Sequence, residues 1–192
     1  MKKQAGFSLV ELVIVIIVVG LLAVAALPRF LNVTDEAKKA QIEGVAGGYA
    51  TAVLSARAQW EAYGRPVQGE FNRVNYDGTE FYLSTKSKDS FLTGEGYPVS
   101  ANQNQINDID ETDCVWLMEE LLQNPPQVTS DSAEAVDGKN QFYAIDASSG
   151  VNKECRYYQL ASANSQGTTN NITSGHYFSY KPAKGQVEVT LK

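Results

Sequence analysis

The most constraining feature of the sequence is an apolar run of 21 residues near the amino terminus, from residue 7 to residue 27. Fifteen of these residues are Phe, Leu, Ile or Val, and the only polar side chains among them are Ser8 and Glu11. As an α-helix the run would be about 31 Å long, the hydrocarbon thickness of a bilayer. The free energy gained by inserting the apolar residues into a bilayer outweighs the cost of inserting one carboxylate, which is at most about 3 kcal/mol. The run therefore predicts one membrane-spanning helix.

The charges on either side of the run predict its orientation. Lys2 and Lys3 precede it, and a polar chain follows Pro28 and Arg29. Basic residues next to a spanning helix favour the cytoplasmic side. We therefore expect a single-pass protein with its amino terminus in the cytoplasm and most of its chain outside.

A cleaved secretory signal is the alternative interpretation of this segment. Ala23-Val24-Ala25 fits a signal-peptidase site, and the start of the chain is basic. However, the apolar run is longer than the usual 7 to 15 residues and contains Glu11. A carboxylate within a membrane needs a partner, and positions 14, 15 and 18, one helical turn or two away, are Ile, Val and Val.

Composition and motifs argue against several classes of function. The chain has 16 Lys+Arg against 22 Asp+Glu and a net charge of -6, so we expect no nucleic-acid partner. His176 is the only histidine and there are two cysteines, too few for a zinc site. No nucleophile elbow or dinucleotide-binding fingerprint is present. The sequence thus predicts neither an enzyme nor a cofactor.

The segment Gly6-Phe7-Ser8-Leu9-Val10-Glu11, after a short basic leader, resembles the processing motif of type IV pilins and pseudopilins. The resemblance implies that residues 1–6 are a leader, that a prepilin peptidase cuts between Gly6 and Phe7, and that Phe7 is then N-methylated. The new amino group would be the missing countercharge of Glu11, from a neighbouring subunit or from the same chain. Because a buried charge without its partner is costly, this pair would set the spacing of subunits during assembly.

Two further segments narrow the resemblance. They resemble segments of pilins of the mannose-sensitive haemagglutinin (MSHA) type, and the resemblance is to a minor or accessory pilin more than to a major one. The first segment is Pro28-Arg29-Phe30-Leu31-Asn32-Val33 with Asp35-Glu36-Ala37, and the second is Cys114 with Leu121-Leu122-Gln123-Asn124-Pro125-Pro126. This implies an inner-membrane precursor that becomes part of an extracellular pilus used for surface attachment. Its partners would be other pilin subunits, the prepilin peptidase and the inner-membrane assembly machinery. The alternatives are a type II secretion pseudopilin, or a secreted binding domain or enzyme released after Ala25.

The remaining sequence predicts an α+β architecture. A helix is expected over 7–63, with 7–27 as its membrane or filament-core half, a kink at Pro28, and a buried stripe comprising Ile42, Val45, Ala46, Tyr49, Ala50, Val53, Ala56 and Trp60. Tyr63-Gly64 followed by Pro66 should end it. Residues 64–192 are predicted to form a globular head: a loop region, a short helix capped by Thr112 or Asp113, and strands at 80–86, 141–146, 155–161, 176–181 and 186–191. An antiparallel sheet from these strands would pack on the amphipathic half of the helix, with the apolar half protruding, as in the type IV pilin fold.

Two side-chain groups in the head suggest further sites. Cys114 and Cys155 lie in the part of the chain expected outside the cytoplasm, which predicts a disulfide, since they lack the spacing of a redox pair. The resemblance implies that such a bridge bounds a variable region, so residues 115–154 are candidates for partner contacts. Asp108, Asp110, Glu111 and Asp113 are calcium candidates, but no EF-hand pattern is present and a solvated loop capping the short helix is the preferred interpretation.

Overall fold

The computed structural model describes residues 7–69, 71–85, 94–102, 109–149, 152–163 and 172–192, and only the backbone of residues 27, 28 and 30–32. The chain divides into two compact units, residues 1–38 and residues 39–192. Helix α1, Leu9–Ala62, contributes residues to both units, which are described separately.

The first unit consists of the first part of α1. From Leu9 to Pro28 its residues are mainly Leu, Ile, Val and Ala, with one glycine, Gly20. The backbone is helical through Pro28. The expected kink at Pro28 stays a prediction.

In the second unit α1 presents an apolar stripe to the core. Of the eight predicted stripe residues, Ile42, Ala46, Tyr49, Val53, Ala56 and Trp60 are buried, and Val45 and Ala50 are half-buried. The helix ends as predicted at a glycine in the left-handed region, Gly64, with φ of 78°. There the N–H of Arg65 donates to the carbonyl of Trp60 and that of Gly64 to Glu61, which satisfies the last carbonyls of the helix.

A four-stranded antiparallel sheet follows α1, in the order β1-β2-β3-β4. Its strands are β1 Val67–Gln68, β2 Phe71–Tyr76, β3 Thr79–Leu83 and β4 Pro98–Ser100. The prediction of a loop region before residue 80 was wrong, because Asp77-Gly78 forms the turn of a β2–β3 hairpin. Both residues have positive φ, 51° and 92°, the conformation that a two-residue hairpin turn requires.

The second sheet has five strands in the order β5-β6-β7-β8-β9. The helix α2, Glu111–Leu121, precedes it, and the strands are β5 Val128–Thr129, β6 Phe142–Asp146, β7 Cys155–Gln159, β8 Tyr177–Lys181 and β9 Gln186–Thr190. A 3₁₀ turn, Glu134–Val136, lies between β5 and β6, and a short helix α3, Leu160–Ala163, follows β7. The sheet is antiparallel except for β5, which pairs parallel to β6. Four strands were predicted nearly at their observed bounds, whereas β5 was missed because it has only two residues.

One aromatic core joins these elements. The ring of Tyr49, on α1, lies 5.6 Å from the rings of Tyr157 and Phe178 and 5.3 Å from that of Tyr180, between ring centroids. All four residues are fully buried. The α+β fold with a helix packed on an antiparallel sheet is therefore confirmed for the second unit.

Candidate functional site

The first unit exposes an apolar helix surface. The large apolar side chains from Leu9 to Val24 are between 40% and 80% exposed, and Phe7 is 88% exposed. Leu9–Ala26 is a helix long and apolar enough, by length and composition, to cross a membrane. Soluble monomers rarely leave such a surface open to water, so it marks a site of contact with lipid or protein.

Glu11 lies in the first turn of α1, near the start of this surface. Its Oε2 accepts a hydrogen bond of 2.9 Å from the backbone N–H of Ser8, which is one of the unsatisfied donors at a helix start. Among the residues that the structure describes, no cationic side chain pairs with this carboxylate. Lys2, Lys3 and Gly6 lie outside the described residues. As far as the described residues go, the carboxylate can therefore still accept a positive charge.

The exposed face of α1 in the second unit carries two glycines, Gly44 and Gly47, that do not pack against any other described element. A Cβ added at Gly44 or Gly47 would meet no atom within 4 Å, apart from the helix's own backbone. Each glycine costs close to 1 kcal/mol of helix stability relative to alanine. A helix can contain glycine where its backbone packs closely against a sheet of the same chain. Such packing does not explain Gly44 and Gly47.

The two cysteines are bonded as predicted. The disulfide joins Cys114 on α2 to Cys155 on β7, with a Cα–Cα distance of 5.5 Å, and both residues are fully buried. The hydroxyl of Tyr157 donates a hydrogen bond of 2.8 Å to the carbonyl of Cys114 and lies 3.2 Å from the hydroxyl of Tyr49. Burial raises the pKa of the Tyr157 hydroxyl, so this donor stays protonated at all physiological pH values. The bridge thus fixes the start of the predicted contact region, 115–154, to the sheet.

The acidic cluster before α2 acts as a helix cap. Asp110 is the N-cap rather than the expected Thr112 or Asp113: its Oδ1 accepts hydrogen bonds from the backbone N–H groups of both residues, at 2.8 and 2.9 Å. The side chain of Asp113 accepts in return from the N–H of Asp110, which completes a capping box. Glu111 is exposed and Asp108 lies outside the described residues. Within the described ranges no group of three or more His, Cys, Asp or Glu residues is placed to hold a metal ion.

Comparisons with known proteins match part of the chain. Residues 1–27 match the family described as the prokaryotic N-terminal methylation motif. The chain is 41% identical, over 57 residues, to the type IV narrow pilus major component PilA5 of Thermus thermophilus; this covers 30% of the chain and 49% of that protein. It is 28% identical, over 92 residues, to the type IV major alpha-pilin of Moraxella bovis, with coverage of 48% and 58%. The chain thus spans about half the length of the curated relatives it matches. No solved structure matches it significantly.

Proposed function

We propose that the chain belongs to the type IV pilin family and is a structural subunit of a type IV pilus. The observation that carries the proposal is the exposed apolar helix Leu9–Ala26 with a single carboxylate, Glu11, near its start. The methylation motif over residues 1–27 and the similarity to two pilins support it.

The proposed life cycle starts with a membrane precursor. The chain is inserted once in the inner membrane with its amino terminus in the cytoplasm, and the prepilin peptidase cuts between Gly6 and Phe7. Phe7 is then N-methylated. The assembly machinery moves the subunit from the bilayer to the growing pilus, where apolar helices of other subunits take the place of lipid tails. Since one apolar environment replaces another, this transfer need not cost the whole free energy of insertion.

Glu11 has a specific role in this proposal. Once processed, the ammonium group of Phe7 in one subunit pairs with the Glu11 carboxylate of its neighbour. The pair contributes register rather than net adhesion, because desolvation of both charges offsets much of their attraction. An incoming subunit at the wrong height would leave both charges unpaired in an apolar environment, at a cost of several kcal/mol.

The mass of the mature amino terminus tests the proposal. Pilin processing gives a chain that begins with N-methylated Phe7, whereas a secreted binding domain or enzyme cleaved after Ala25 would begin at Ala26. Electron microscopy of sheared surface material then distinguishes pilus subunits from a type II secretion pseudopilin. A mature chain that starts at Ala26 would exclude assembly through the helix.

The finer assignment is an MSHA-type pilin that supports surface attachment, more a minor than a major subunit. It rests on the segments around Pro28 and Cys114. Both curated relatives are named as major components of their pili, so they give no support to the minor role. Quantitative mass spectrometry of purified pili tests this point, since a minor subunit is present at a small fraction of the major one.

A further inference from the structure

One end of the five-stranded sheet carries a cleft with an excess of lysines. The cleft has a volume of about 330 Å³ and lies where β6 and β8 end and β7 begins. Three of its lining residues are lysines, Lys153, Lys181 and Lys184, and its small apolar lining residues are Ala147 and Ala183. We call this site the lysine cleft.

Two of these lysines have no counterion within the described part of the chain. Lys181 pairs with Glu188, on the adjacent strand. Glu154, the carboxylate that lines the cleft, pairs with Arg156 at 2.8 Å. No such ion pair is formed by Lys153 or Lys184. Counting only the described residues, the cleft therefore presents two ammonium groups that form no ion pair, on a protein whose net charge is -6.

The opposite end of the same sheet carries an excess of carboxylates. The acidic turn, residues 131–137, contains Asp131, Glu134 and Asp137, all exposed, and includes the 3₁₀ turn between β5 and β6. Lys139 pairs with Asp137 at 3.0 Å, and hydrogen bonds from Lys139 lower the pKa of that carboxyl. Asp131 and Glu134 form no ion pair with the described residues, although Lys139 also interacts electrostatically with Glu134. The turn also exposes Val136 to 53%.

The turn itself is fixed in shape. The hydroxyl of Thr129 donates a hydrogen bond of 2.8 Å to Glu134, and Asp131 accepts one of 2.7 Å from the backbone N–H of Ala133. A preformed turn loses little conformational entropy when it binds. It can therefore act as a docking element rather than as a flexible loop.

The two charged sites cannot meet within one molecule. β6 runs from Phe142, beside the acidic turn, to Asp146, beside the lysine cleft. The four steps from Phe142 to Asp146 place the two ends of this strand about 13 Å apart. Two different and complementary patches on one molecule form a heterologous contact, and repetition of such a contact builds an open helical assembly.

We propose that the acidic turn of one subunit docks into the lysine cleft of a neighbouring copy of the same chain. Charge complementarity identifies the occupant: Asp131 and Glu134 face Lys153 and Lys184, and Val136 packs against the alanines of the cleft. The inference rests on the proposed function, since it adds a contact between heads to subunits already joined through their helices. It also uses the region 115–154, in which partner contacts were expected.

Zero-length carbodiimide cross-linking of pili made from the full chain tests the contact. We expect an amide bond between Lys184, or Lys153, and Glu134, identified by mass spectrometry of the digested pili. We assign a bond between these side chains to two subunits, because within one subunit they lie at opposite ends of β6, about 13 Å apart. Pili that form but give no such peptide overturn the docking and leave the proposed function intact. If the processed wild-type chain forms no filament, both proposals fail.

Charge exchange gives an independent measurement. Lys184→Glu should reduce pilus recovery after shearing at 0.15 M salt roughly two- to fivefold, the range for an exposed ion pair, and Glu134→Lys should do the same. The double variant restores recovery if the two groups meet. Lys184→Arg, which keeps the positive charge, is the control and should give the recovery of the wild type. Equal recovery of all variants, or no rescue in the double variant, contradicts the docking.

Discussion

The disulfide gives the most quantitative prediction. Cys114 and Cys155 are separated by 41 residues, and cross-linking a loop of that length stabilises the folded state by about 4 kcal/mol through the lost entropy of the unfolded chain. The variant Cys114→Ala/Cys155→Ala should lose this amount. For a unit of this size, each kcal/mol corresponds to roughly 2–4 °C, so we expect Tm to fall by roughly 8–16 °C.

The assay is thermal and urea unfolding of the full chain in detergent micelles, followed by near-UV circular dichroism. This signal reports on the second unit, because its buried tyrosines, Tyr49, Tyr157 and Tyr180, lie in one fixed aromatic cluster. The urea m-value should rise in the double variant, since an unfolded chain without the cross-link exposes more surface.

The matched control is Tyr157→Phe, which keeps the disulfide but removes the hydroxyl that donates to the carbonyl of Cys114. It should cost about 1 kcal/mol, the net value of one buried hydrogen bond, and leave the m-value unchanged. If the double cysteine variant lost no more unfolding free energy than this control, constraint of the unfolded chain would not be the source of the stabilisation by the disulfide.

Three other variants test separate features. Glu11→Ala should insert in the membrane normally but give at least tenfold fewer pili by electron microscopy; normal pili would refute the pairing with Phe7. Gly185→Ala should cost more than Gly69→Ala in urea unfolding, because both glycines have φ near 63°, but only the Gly185 Cβ would lie 2.0 Å from the ring of Tyr97. Asp110→Ala should cost about 1 kcal/mol at pH 7. The hydrogen bond from the Thr112 side chain lowers the pKa of Asp110 in the folded state. The stabilisation by Asp110 is therefore present above the unfolded pKa and is lost as pH falls through the lower folded pKa. The loss of stability in Asp110→Ala should disappear in strong acid.

The outcome for the head shows where sequence patterns are informative. The stripe from Ile42 to Trp60 was predicted because residues on one face of a helix recur every three or four positions, whatever they pack against. The β2–β3 hairpin was missed although Asp77-Gly78 is a strong turn signal, because the flanking strands are short and only partly apolar. The predicted N-caps, Thr112 and Asp113, lie two and three residues from the observed one, Asp110. They were confused because several capping residues stand next to each other at this site.

The sequence by itself determined the properties that depend on neighbours along the chain: an apolar helix of membrane length, a carboxylate without a partner in its first turn, and a glycine stop. These follow from local geometry and from transfer free energies, which need no tertiary contacts. Tertiary structure decided what depends on residues distant in sequence. It brought Lys153, Lys181 and Lys184 together at one end of a sheet and placed Asp131 and Glu134 at the other. Strand order and register create this separation of charge, and no spacing along the chain indicates it.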